Sequence, residues 1–314
     1  MKPYTIQKII ANLELLHANQ IIITWAEQLS KRFKAEVNLY NAIHLDGKNS
    51  YNNASVGQGK KISKLILKTL GLLRNIGNSL RYVRKTKFTV EVSNQWQDLI
   101  QHIHNDEADL LITEIPNSVV MGKFTALMYN SPCPVLFVRE KMTPPVQLKI
   151  LVPVRINAQI EQKLPCVITW AKKYGGTVVL SGFIQNGASS TQKLRVHYLM
   201  EKMKATLLAA GIEATTDTAQ GPHFGRAMLE RAKRLQVGLI CIGVEPSNFF
   251  ARLFNKMIGP FFLENSTVPV LSMPFATRPA IARALIQTEP FVPYQLHRKV
   301  VLAKNQQFEP MVIR

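Results

Sequence analysis

Apolar and polar positions alternate along this chain in blocks that read as strands and helices in turn. Leu148–Val154 is an apolar run, which predicts a strand buried on both faces of a sheet. A helical stretch around Ile160–Lys173 follows and is stopped by Gly175-Gly176. Next come a strand over Thr177–Ile184 and a long helix over about Gln192–Ala210, with Gly211 as its C-cap residue. A short strand near Glu213–Asp217 leads to a helix at about Phe224–Leu235. Strand Gly238–Gly243, a helical stretch around Phe249–Leu263 and strand Val268–Ser272 complete the series. Strands separated by helices imply right-handed βαβ units and a parallel, doubly wound sheet of five strands.

The same order of patterns occurs earlier in the chain. Ile23-Thr24-Trp25-Ala26 returns as Ile168-Thr169-Trp170-Ala171, and Asn130-Ser131-Pro132-Cys133-Pro134-Val135-Leu136 as Asn265-Ser266-Thr267-Val268-Pro269-Val270-Leu271. Lys8-Ile9-Ile10 answers Lys149-Ile150-Leu151, and Val37-Asn38-Leu39 answers Val178-Val179-Leu180. Ala108–Thr113 answers Val237–Ile242. Five correspondences in one order define a duplication. The first copy is shorter in one place: Ile112 to Pro134 spans 22 positions, and Ile242 to Pro269 spans 27. That is beyond the carboxyl end of a strand, where open parallel sheets bind ligands. The division is into 1–142, 143–275 and a C-terminal extension, 276–314. The extension matches nothing in the first copy and is rich in proline, with an apolar-basic piece at Arg298-Lys299-Val300-Val301-Leu302. It reads either as a tail packed back on the domains or a partner, or as disorder.

Composition changes this picture through charge. Of 314 residues, 46% are hydrophobic, enough for a substantial core, but 39 Lys and Arg face 20 Asp and Glu, a net charge of +19. Such an excess attracts nucleic acid, phosphate-bearing metabolites or a membrane surface. Ten of the basic residues lie between Lys48 and Lys87, where there is no acid. Ile62, Leu65, Ile66, Leu70, Leu73, Ile76, Leu80 and Val83 recur there at helical spacing, with Lys61, Lys64 and Lys68 opposite them. This is a solvated helix face or a stripe, including Lys60, that binds polyanions or anionic membranes. Gly57-Gln58-Gly59-Lys60-Lys61 ahead of it resembles a phosphate loop only superficially. Ala54 stands at the first glycine position and Lys61 at the hydroxyl position, so a flexible loop is expected.

The remaining chemistry is sparse. Cys133, Cys166 and Cys241 have no CxxC spacing and lie in apolar stretches, where small buried thiols are expected. His102 and His104 are two apart on a helix and face different ways, and His223 stands at a helix start. Asp106, Glu107 and Asp109 are expected in solvent. Trp25 and Trp170, at matched positions, suit core packing or the contact between copies. The N-terminus lacks the apolar core of a signal peptide, and no apolar run approaches a membrane span, so a cytoplasmic protein is expected.

Each copy resembles a universal stress protein domain, over about 1–274. The resemblance rests on Ser131-Pro132-Cys133-Pro134-Val135-Leu136, Ser266-Thr267-Val268-Pro269-Val270-Leu271, the Ala108–Ile112 strand and the Lys149–Val154 opening strand. It implies an adenine nucleotide alpha hydrolase-like α/β fold, pairing of domains within the chain or as a homodimer, and a role in surviving stress. Many family members bind ATP through Gly-x-x-Gly-x9-Gly-Ser/Thr after the fourth strand, and an Asp at the end of the first. Here Gly243 is kept, but Pro246 replaces the second glycine, Gly259-Pro260 follows after twelve residues, and Arg155 takes the Asp position. Proline lacks the N–H a phosphate would use. In the first copy the loop reads Glu114-Ile115-Pro116-Asn117-Ser118, without glycine until Gly122.

The expected protein is therefore a non-enzymatic tandem universal stress protein that acts by binding and association. Its second copy keeps a partial pocket bounded by Pro153, Val154, Arg155, Gly243, Gly259 and Pro260, suited to a phosphate-bearing small molecule with Arg155 as counter-charge. No cofactor is expected. The rivals are an ATP-binding or slowly hydrolysing switch using ATP and Mg²⁺ in the second copy, and a basic module that binds nucleic acid or acidic partners through Lys60–Lys87.

Overall fold

Each apolar run identified above becomes a strand of one sheet. A computed structural model describes residues 4–14, 20–43, 56–83, 85–93, 96–116, 121–155, 163–244, 258–274 and 299–303. In the first copy β1 (Lys8–Asn12), α1 (Gln20–Phe33), β2 (Glu36–Ile43), α2 (Val56–Ser79) and β3 (Thr86–Val92) are followed by α3 (Trp96–Asn105), β4 (Leu110–Glu114), α4 (Gly122–Asn130) and β5 (Val135–Val138). The second repeats the plan as β6 (Lys149–Val154), α5 (Leu164–Tyr174), β7 (Thr177–Gln185), α6 (Ser190–Ala209), β8 (Ala214–Gly221), α7 (Phe224–Arg234), β9 (Leu239–Val244), α8 (Ile258–Asn265) and β10 (Val270–Pro274). Within each copy the strands are parallel, in the spatial order third, second, first, fourth, fifth.

The two sheets are one. β5 and β10 pair antiparallel, with Leu136 opposite Leu271, its own counterpart in the repeat. A local twofold axis therefore passes between these two leucines, normal to the sheet, and places equivalent helices on the same side. α1, α2, α5 and α6 cover one side, sharing an apolar core that runs through both copies and contains Trp25 and Trp170, neither accessible to solvent. α3, α4, α7 and α8 cover the other. Burying each indole stabilises the fold by about 4–6 kcal/mol. The Trp25 Nε1–H donates to Met142 O across 2.6 Å, and Arg32 of α1 donates to Val146 O and Lys173 O while lying 4.0 Å from the Tyr174 ring. Both tryptophans thus serve the core, and Trp170 also joins the contact between copies, edge-on to Phe33 at 5.6 Å.

Boundaries shift in places. α5 is described over Leu164–Tyr174, the predicted start near Ile160 lying outside the described residues, and β8 runs on to Gly221 because its Thr-rich residues pair with β7 from Val178 to Gln185. Gly57-Gln58-Gly59 is the first turn of α2 and not a loop. On that helix Leu65, expected on the inner face, is exposed. The apolar-basic piece of the tail forms β11 (Lys299–Ala303), antiparallel to β3, and closes the outer edge of the first copy. An otherwise open edge of this kind is a template for unwanted pairing.

Candidate functional site

The carboxyl ends of β6 and β9 form the mouth of the second copy. Pro153 and Val154 are buried at the end of β6, and Arg155 follows, half-buried. Gly243 is half-buried near the end of β9. The Arg155 guanidinium lies 4.8 Å from the centre of the Phe224 ring, a cation–π contact at the start of α7. Phe224 itself stands edge-on to Phe183 (5.3 Å) and Phe262 (6.0 Å), so the platform under the cation is held from β7 and α8. Lys163, buried just ahead of α5, brings a second cation close enough to act on the Cys241 thiol.

Gly259, in the first turn of α8, is buried against the other copy. A Cβ there would lie 2.5 Å from Met128 Sδ and 3.1 Å from the Tyr129 hydroxyl. Tyr129, at the end of α4, has a backbone hydrogen bond with Gly259 and feels the charge of Arg155. Burial pushes its hydroxyl above the ordinary tyrosine range, and these two contacts oppose the shift. Pro260 beside it is half-buried. Arg155, Gly259 and Tyr129 thus meet where the two copies touch. Pro246 lies outside the described residues, as do Ala54, Asn117 and Ser118.

The first copy closes the same place differently. Glu14, at the position matching Arg155, forms an ion pair with Lys123 of α4 at 2.7 Å. The Asn12 amide donates to Thr113 Oγ1 at 3.3 Å between β1 and β4. Glu114, matching Gly243, is half-buried at the end of β4. A like-charged carboxylate pair thus borders this mouth, with Lys123 already engaged.

Behind it, the layer between the sheet and α3 is polar. The Asn38 amide donates to His102 Nε2 (3.1 Å) and accepts from Thr89 Oγ1 (3.0 Å), and the Tyr40 hydroxyl donates to Glu91 Oε2 (2.9 Å). Burial, then Glu91, raises the Tyr40 hydroxyl far above its ordinary value. Lys87 pairs with Asp106 at 3.0 Å. Burial would raise the Asp106 carboxyl, but Lys87 and Asn38 outweigh it and hold the group below the ordinary carboxylate range. The expectation that the acidic turn sits in solvent is therefore corrected. Asp106 is engaged, and Asp109 accepts from the Gln7 and Lys8 N–H groups at 2.8 and 3.0 Å, tying the turn to β1; Glu107 alone is exposed.

Other predicted positions fall as follows. His102 is buried and His104 exposed, and His223 is exposed at the N-cap of α7 without a side-chain cap bond. All three cysteines are buried; burial pushes the Cys241 thiol up to about 12 and Cys166 well above its ordinary value. Lys60, Lys61, Lys64 and Lys68 are exposed together on α2, remote in sequence from the mouth residues. Tyr129, Phe224 and Lys123 were not singled out from sequence. Phe224 carried a signal, an aromatic opening a helix after the third strand of its copy; Tyr129 acts across the copies and carried none.

No family model matches the sequence, and no curated protein matches it. Among solved structures the chain is similar to a universal stress protein from Archaeoglobus fulgidus, with a TM-score of 0.66 and 12% identity over 87% of this chain and 97% of that one. It is similar to a functionally unknown protein from Pseudomonas aeruginosa, with a TM-score of 0.57 and 16% identity over 86% and 92% of the two chains. A second protein of that species, provisionally described as a universal stress protein, gives 0.58 and 16% over 86% and 93%. Likeness at these identities is likeness of fold. The chain has the α/β fold of universal stress proteins, with the unit present twice. Among the described residues, no helix is long and apolar enough to cross a membrane.

Proposed function

We propose that this chain is a stress-response protein of the universal stress type that works by binding and association and does not catalyse a reaction. Its second copy holds a degenerate nucleotide site, open to a small phosphate-bearing ligand. The observation that carries this reading is Arg155 seated on Phe224 beside Tyr129. A fixed cation at a strand end, next to an aromatic face, suits a phosphate with an attached planar ring.

Family-type binding of ATP with Mg²⁺ fits the described residues poorly. The strand-end position that holds a carboxylate in the family is a cation here, and Gly259 is packed against Met128 and Tyr129. In the first copy the Glu14–Lys123 pair and Glu114 leave the mouth better suited to a structural role.

Calorimetric titration tests this. Adenosine monophosphate should bind weakly, at about millimolar Kd, and Arg155→Ala should weaken it about tenfold or more. Micromolar binding of ATP with Mg²⁺ would overturn the degenerate site, and turnover of ATP to ADP would overturn the non-enzymatic reading.

A further inference from the structure

Exposed apolar side chains are segregated on this molecule. Among the described residues, every large one lies on α2, on the turn after it, or on α6, except Val146 in the connection between copies. α2 and α6 are equivalents under the local twofold, so they lie at the two ends of one side of the sheet. The helices of the other side expose none.

The charge on α2 is of one sign. α2 contains no acidic residue, and Lys60, Lys61, Lys64 and Lys68 are all exposed on it. Lys61 and Lys68 are seven apart, as are Leu65 and Leu72, so each pair stacks two turns apart in neighbouring rows. Leu65 and Leu72, 43% and 44% exposed, border the lysines on one flank, and Leu67, 54% exposed and two residues from Leu65, borders them on the other. On α6 the exposed Leu194, Tyr198 and Leu208 accompany Lys193 and Arg195, with Glu201 as the helix's one acid.

We propose that this side of the molecule docks on an anionic lipid bilayer through α2, with α6 as a second contact. Lysine ammonium groups are drawn to lipid phosphate and carboxylate, their stems reach along the surface, and the leucines enter the boundary between headgroup and acyl chain. Each half supplies one of the two signals that stable surface binding needs. A nucleic acid would use the lysines but gain nothing from three exposed leucines, and α2 offers no aromatic ring for stacking. A second copy of the chain laid against α2 would bring two acid-free basic faces together.

Co-sedimentation of the full chain with vesicles tests this directly. Binding is expected to vesicles of phosphatidylcholine mixed with phosphatidylserine, not to phosphatidylcholine alone, and should fall with salt. The triple change Lys61→Glu, Lys64→Glu, Lys68→Glu should abolish it. The triple change Leu65→Ser, Leu67→Ser, Leu72→Ser, which leaves the charge untouched, should weaken it about tenfold or more. Because Cys133, Cys166 and Cys241 are buried, Leu72→Cys can carry an environment-sensitive dye, whose emission should shift to the blue on anionic vesicles. Circular dichroism checks that each variant is folded. The proposal is overturned if the leucine variant binds anionic vesicles as well as the parent, or if the dye reports water throughout. Duplex DNA binding that ignores the leucines, in a chain that does not sediment with vesicles, overturns it in favour of a polyanion site. A dimer that the leucine variant dissociates overturns it in favour of self-association.

Discussion

Between the sheet and its second helix layer, the two copies of this domain hold different chemistry at matched positions. Asn38, Tyr40 and Glu91 of the first correspond to Val179, Ser181 and Ala219 of the second, by the common register of their strands. His102, inside the first copy's network, answers to Arg231, which pairs with Asp217. On the other side of the sheet the matched Trp25 and Trp170 are both fully buried in one continuous apolar core. The buried polar network is therefore peculiar to the first copy, at strand positions that are apolar or small in the second. A buried polar network is tolerable only while its members are satisfied, so the first copy has become the less forgiving of the two.

The largest effect should come where the copies agree. Trp25→Ala and Trp170→Ala should each cost about 3–5 kcal/mol, and each should melt the whole chain in one transition, because the core they line is shared. Urea unfolding followed by circular dichroism measures both. Two separated transitions would break the comparison at its base, by showing the halves to be independent.

Position 40 and its partner 181 sharpen the contrast. Tyr40→Phe removes a hydroxyl donor from the buried Glu91 carboxylate and should cost about 1–3 kcal/mol. Ser181→Ala removes a buried hydroxyl that makes no hydrogen bond, and should leave stability unchanged or slightly raised. Equal losses at the two sites would mean that the polar layer is not what distinguishes the copies.

Acid should act on the first copy through the same layer. Asp106 has a folded-state pKa below its ordinary 3.8, so it contributes stability that is complete above that value and is lost as pH falls through the lower one. Lys87→Met removes the charge that, with Asn38, holds it down. The variant should be less stable at neutral pH and lose less on acidification below 3.8. Urea midpoints across that range test this, and a parallel acid dependence in the two proteins would contradict it.

Much of this architecture was readable from the chain because it depends on local pattern. Strands such as β4, β6 and β9, apolar on both faces, and the stop at Gly175-Gly176 need no distant information. Glycine fits there twice over: Gly175 adopts φ +54, and a Cβ on Gly176 would lie 2.0 Å from Leu148 O. What escaped was set by contacts remote in sequence. Tyr129 meets Gly259 and Arg155 across the two copies, Glu14 finds Lys123 109 residues away, and β11 takes its place by pairing with β3. Gly259 was read through the family's phosphate loop, and its neighbours in α4 could not be inferred from its own segment. The exposure of Leu65 was missed because a wide apolar stripe does not say how far the core extends around a helix.

The smallest effect concerns a turn that the copies share in shape but not in residue. α1 and α5 both end in a left-handed residue, Lys34 at φ 58 and Gly175 at φ 54. The next N–H returns to the helix in both cases, from Ala35 to Ser30 O at 3.2 Å and from Gly176 to Ala171 O at 2.8 Å. A side chain at such an angle crowds the following carbonyl, a strain glycine does not have, though glycine loses more freedom on folding. Lys34 is exposed, and replacing it removes no buried contact. Lys34→Gly should therefore stabilise the chain by about 0.5–1 kcal/mol, and Gly175→Ala should destabilise it by about 1 kcal/mol. Thermal or urea midpoints of the two variants decide the matter. Opposite signs mean that the first copy tolerates a local strain the second has avoided, while a loss in both would show that Lys34 contributes something at this turn beyond its backbone.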